Sequence, residues 1–153
     1  MALNRVLLTT LFVSLFITSC KKAKIEKGVS GWWTIDTISY KRNDIGDCFL
    51  SSSIFFKKNK VEFPTINREC LDTIRPFGEE GKWKIESSND YSYINIEIPN
   101  IVFRGRHKII FHRDEANKLL KMEIISDSFY AVCRKGLFCY DCEQSFIDDI
   151  VEK

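Results

Sequence analysis

The chain has 153 residues, a formal net charge of +2, and 44% hydrophobic against 29% charged residues. That balance excludes a disordered chain and gives no basic surplus of the kind a nucleic-acid partner requires. Aromatic residues make up 13%, with 12 phenylalanines, a bias that favours strands over helices.

Residues 1–20 read MALNRVLLTTLFVSLFITSC. Arg5 is a short positive start, Val6 to Thr18 is an apolar run, and small residues follow, which is the three-part layout of a secretory signal. The run falls short of the roughly 20 residues that a spanning helix needs. Ile17-Thr18-Ser19-Cys20 resembles a bacterial lipobox. That resemblance implies removal of residues 1–19 and lipid on Cys20, with more than one acyl chain to hold the protein firmly to a membrane. Residues 20–30 are then expected to be a lipidated polar tether. Its Lys21, Lys22, Lys24 and Lys27 form a solvated run that also suits anionic lipid headgroups.

Residues 31–153 are long enough for one domain with a real core. Gly31–Tyr40 is strand-like, and Ser53–Lys57 and Lys60–Phe63 flank a polar turn as a hairpin. Gly81–Glu86 is a further strand. In Tyr91–Ile98, Ile94, Ile96 and Ile98 point one way while Tyr91, Tyr93, Asn95 and Glu97 point the other. His107–His112 and Lys118–Ile125 bracket a second hairpin turn, and Ser128–Arg134 follows. About eight short strands with turns between them predict an all-β antiparallel fold. Helical spacing is expected only at the end, in Gln144–Glu152.

Gly31-Trp32-Trp33-Thr34-Ile35 and Gly81-Lys82-Trp83-Lys84-Ile85 repeat the pattern G-x-W-x-I. With the lipobox and the Cys48/Cys70 pair between them, these copies resemble the lipocalin-like small lipoproteins of bacterial envelopes. The resemblance implies an up-and-down β-barrel with a cup for a small apolar ligand, walled by Trp33 and Trp83. It also implies a basic residue from a late strand packed on Trp33, for which Arg134 is the candidate.

Cys48 and Cys70 are equidistant from the Lys57–Lys60 turn, so a disulfide between them is expected. The closed loop would contribute about 3 kcal/mol. Cys133, Cys139 and Cys142 form an odd set, and a bridge from Cys133 to Cys139 or Cys142 is expected. Cys139-Tyr140-Asp141-Cys142 has C-x-x-C spacing but no βαβ setting for a redox pair. Three thiolates lack a fourth zinc ligand, and His107 and His112 sit on opposite faces of one strand as exposed polar residues. No cofactor or metal is implied. With no nucleophile elbow, HExxH or phosphate loop, an enzyme is not expected.

The segment Pro99–Arg106 carries Ile101, Val102 and Phe103 between two strands. One reading buries these residues under the barrel. The other makes Ile101, Phe103, Arg104 and Arg106 a lid or sticky patch at the mouth, suited to an anionic lipid or fatty acid. Two functions follow. A cup lined by small and apolar residues would carry a small apolar ligand. A barrel packed solid with Phe would instead be a non-catalytic interaction protein that docks another envelope or toxin protein through its surface.

Overall fold

A strand whose side chains alternate has one apolar face, and an antiparallel sheet must cover that face. The computed structural model describes residues 21–65, 67, 70, 80–88, 91–136, 148, 150 and 151. Its strands are β1 (Gly31–Tyr40), β2 (Asn43–Asp44), β3 (Ser53–Lys57), β4 (Lys60–Glu62), β5 (Glu80–Ser87), β6 (Ser92–Glu97), β7 (Gly105–Asp114), β8 (Leu119–Ile125) and β9 (Phe129–Gly136). They form one sheet in the order β2-β1-β3-β4-β5-β6-β7-β8-β9, and β1 also pairs with β9. The sheet therefore covers its own apolar face by closing on itself. Eight strands make an up-and-down antiparallel barrel, and β2 is a short addition beside the upper end of β1. The all-β barrel predicted from the sequence is the fold observed.

Closure runs from Thr34↔Arg134 to Tyr40↔Phe129, with a bulge between Ile35 and Thr37. A bulge sharpens local twist, which helps a sheet to curl. Inward positions follow the period of two: Trp33, Ile54 and Phe56, Trp83 and Ile85, Ile94 and Ile96, Ile109 and Phe111, Leu120, Met122 and Ile124, then Phe129, Ala131 and Cys133. They form one continuous core. Each large side chain so buried contributes about 1.5–3 kcal/mol.

Residues 21–29 form a helix (α1), where the sequence suggested a solvated polar tether and helical spacing only at 144–152. The reason is a two-residue apolar stripe. Ile25 and Val29 are four apart, so they share one helix face, and both are buried against the barrel. The Ser30 amide and hydroxyl both donate to the Glu26 carbonyl and close the helix end. Of the terminal helix expected over 144–152, only 148, 150 and 151 fall within the described residues. Asp148 is helical there, Ile150 is buried, and Val151 packs on the core.

The end of the barrel where α1 meets β1 is called the lower end here. It is tied by one cluster. The Trp33 indole Nε1 donates to the Val29 carbonyl at 2.7 Å. The Lys135 ammonium lies 4.7 Å from the Trp33 ring centroid and donates to the Gly28 carbonyl at 2.5 Å and the Ser30 carbonyl at 3.1 Å. Replacing this ammonium with an apolar group removes two charge-assisted bonds and a cation–π contact. Lys135→Met is expected to cost about 2 kcal/mol in chemical denaturation. Hydrogen exchange should rise first in residues 21–30. Unchanged exchange there would show that the cluster does not hold α1.

Candidate functional site

The two G-x-W copies do the same job by different means. Gly31 has φ +114°, a conformation L side chains rarely adopt, as the chain turns from α1 into β1. Gly81 instead permits a close approach: a Cβ there would lie 2.9 Å from the Glu97 carbonyl oxygen. Each Trp two residues on points inward and donates its indole N–H to a carbonyl, Trp33 to Val29 and Trp83 to Lys60 at 2.8 Å. Both indoles are buried in the core and packed on phenylalanines, Trp33 on Phe111 and Trp83 on Phe56. The basic residue over Trp33 is Lys135, not Arg134. Arg134 faces outward and pairs with Asp36 at 3.2 Å. Counting by twos from Phe129 and Cys133 puts Lys135, not Arg134, on the inner face, so the alternation already held this answer.

At the upper end the 98–104 segment folds into the barrel. Asn100 Oδ1 accepts from the Val102 amide at 3.0 Å, and the Arg104 amide donates to the Asn100 carbonyl at 3.1 Å. That tight turn drives Val102 and Phe103 inward, where both are buried. Phe103 stacks on Phe63 with centroids 4.0 Å apart and also meets Phe49 and Phe129. Ile101 and Arg104 stay exposed outside this plug. Arg106 lies on the outer wall, 3.2 Å from Glu86 and stacked over Tyr93 at 3.5 Å. Lys84 and Arg106 together hold the Glu86 carboxyl below its ordinary range. Of the six residues expected to bind a ligand, Trp33, Trp83 and Phe103 are thus core, and Ile101, Arg104 and Arg106 are surface.

An open cleft of about 510 Å³ lies outside the barrel, between the upper half of β1 and the 44–52 segment. Asp36, Asp44 and Asp47 line it, and Leu50, 73% exposed, stands on its rim. The Cys48–Cys70 disulfide, with Cα atoms 5.5 Å apart, anchors this segment as expected. Hydrogen bonds from Asn67 to Cys48 and from Leu50 to Thr65 support it. The cleft leaves no signal in the sequence, since its residues come from β1 and a loop without a motif.

His112 is exposed and sits 2.8 Å from Glu123, but His107, expected to be exposed, is 2% exposed on the inner face of β7. Its Nε2 donates to the Phe103 carbonyl at 3.1 Å, since that carbonyl can only accept. This leaves Nδ1 buried as an acceptor with no partner among the described residues. Protonating it would bury a charge, so burial pushes the His107 pKa down. The unfolded chain therefore binds this proton more readily than the folded one. Stability is expected to be flat above about pH 6.5 and to fall below it, by no more than about 1.4 kcal/mol per pH unit. Asp114, held at about 2 by Lys121 and Asn117, stays ionised throughout that window. Denaturation of His107→Phe between about pH 5 and 6.5 should remove the slope; a slope that survives would assign it elsewhere.

Cys133 is a buried free thiol, not half of a bridge. The alternation turns its side chain into the core opposite Ile35, away from any exposed loop. Cys20, Cys139 and Cys142 lie outside the described residues. Burial, with the Asp36 charge behind it, pushes the Cys133 thiol up to about 12. Native protein is expected to resist alkylation at Cys133 at about pH 8 and to react once unfolded, as read by peptide mass. Labelling of the native form would contradict the closed core. No group of three or more His, Cys, Asp or Glu side chains able to hold a metal occurs among the described residues. Nor is any helix there long and apolar enough to cross a membrane.

Comparison with protein families, with curated proteins and with solved structures returned no match to this chain.

Proposed function

We propose that this chain is a bacterial envelope lipoprotein, anchored by lipid on Cys20, whose lipocalin-like barrel is a non-catalytic docking module for another protein. The reading rests above all on the filled interior. Trp33, Phe56, Phe103 and Phe129 are fully buried inside the barrel, and Phe63 and His107 pack on the same plug. Chain aromatics occupy the volume that a carrier would leave for its ligand. The anchoring part rests on the sequence of residues 1–20, and the Cys48–Cys70 bridge suits an exported, oxidising setting. The cleft beside Leu50, lined by Asp44, Asp47 and the Arg134-paired Asp36, offers a docking surface for a cationic segment of a protein partner.

The test is native mass spectrometry of the exported protein under non-reducing conditions, with and without added lipids. A bare polypeptide mass, apart from the anchor, is expected in both. An adduct of a few hundred daltons that leaves on unfolding would instead establish a carrier of a small apolar ligand. A photo-reactive side chain in place of Leu50 is expected to trap one discrete envelope protein in cells, and Asp47→Lys should weaken that product. Trapping that ignores the charge reversal would move the docking surface away from the cleft.

A further inference from the structure

Trp32 is 62% exposed on the outer wall of β1, although its neighbour Trp33 is fully buried. It stacks on Phe55 of β3, its register partner, with centroids 4.3 Å apart and planes 20° from parallel. An exposed indole on an aromatic neighbour is a large apolar surface facing water, which calls for an occupant.

The position of the pair supplies one. Gly31 pairs with Phe56, so the end of α1 and the Lys57–Lys60 turn lie at the same, lower end of the barrel. Lys57 shares the outer face of β3 with Phe55, since the two are two residues apart. Lys57 and Lys58 are exposed, and Lys60 pairs in register with Lys82 on β5. Glu62 beside Phe55 and Glu80, 3.0 Å from Lys60, offset part of this charge. Just before β1 in the chain, α1 carries exposed Lys21 and Lys22, the latter 3.8 Å from Glu26. An amphipathic aromatic set among lysines at one end of a fold is the chemistry of a headgroup interface.

The chain leading into that end decides between a membrane and other occupants. Cys20 immediately precedes α1 in the sequence. The nine helical residues 21–29 rise only about 13 Å and are docked on the barrel through Ile25, Val29 and the Lys135 cluster. Lipid at Cys20 would then hold the barrel's lower end at contact distance from the bilayer, with no slack to stand away. We infer that the lower end of the barrel lies on the membrane, with Trp32 and Phe55 seated among anionic headgroups and Lys57 and Lys58 paired to them. This rests on Cys20 carrying lipid, and it leaves the upper cleft facing away from the membrane.

The experiment uses protein expressed with its leader, extracted in detergent and reconstituted into phosphatidylethanolamine–phosphatidylglycerol vesicles. The phosphatidylglycerol is brominated near the headgroup end of its acyl chains. Tryptophan emission should be quenched, and Trp32→Phe should lose that quenching, because Trp33 and Trp83 are buried. The exposed site makes this variant safe for the fold, and circular dichroism checks it. Lys57→Glu with Lys58→Glu should reduce the quenching severalfold. Absence of quenching in the lipidated protein, or equal quenching in Trp32→Phe, would overturn the inference. The intact mass reports lipid on Cys20 separately. If the lipid is absent, co-sedimentation of the unlipidated protein with the same vesicles, but not with phosphatidylcholine vesicles, sustains the surface. No co-sedimentation sinks it.

Discussion

Lys135 places its ammonium over the Trp33 ring and against the Gly28 and Ser30 carbonyls, and much of the lower barrel depends on that meeting. A helix end leaves carbonyls without partners, and an indole face carries negative potential. One cation from the last strand answers both. It thereby joins β9, β1 and α1, three elements that the chain visits at its beginning and its end. Without it, α1 would keep the Trp33–Val29 hydrogen bond and the apolar stripe of Ile25 and Val29, a small one for a helix of this length.

The upper end is closed by another kind of contact. There the chain folds its own loop inward, and Phe103 meets Phe63, Phe49 and Phe129. A barrel of eight strands is just wide enough for side chains to fill or for one small ligand to occupy. Here large aromatics, Trp33, Phe56, Phe103 and Phe129, take inward positions. What the barrel offers to its surroundings lies on the outside: the acidic cleft at one end and the Trp32–Phe55 stack among lysines at the other.

Strand positions were legible because burial of one face imposes the period of two. Gly31–Tyr40 was read to the residue, and Ile94, Ile96 and Ile98 point inward as their spacing required. The Cys48–Cys70 bridge followed from symmetry about a hairpin turn. Where short motifs replaced the alternation, the reading slipped. The family resemblance pointed to Arg134, whereas β9's inward set runs through Cys133 to Lys135. The α1 lysines hid two apolar residues at helical spacing, and His107 was expected to be exposed although Ile109 and Phe111, two and four residues on, share its inward face. Of the site, the burial of Val102 and Phe103 was one of two stated readings. The cleft and the Trp32–Phe55 stack were not legible, since they depend on which loop lies beside which strand.

Closure by β1 and β9 also sets the order in which the molecule can become safe. β1 is made first, and its partner on one side, β9, is the last strand among the described residues. Until then β1 offers an open edge flanked by two tryptophans, the kind of edge that recruits strands from other chains. Pairing the first strand with the last also makes folding slow, because a long loop must close before its contacts repay it. A chain that stops before β9 keeps the β1 edge open, so termination there exposes the surface most prone to aggregate.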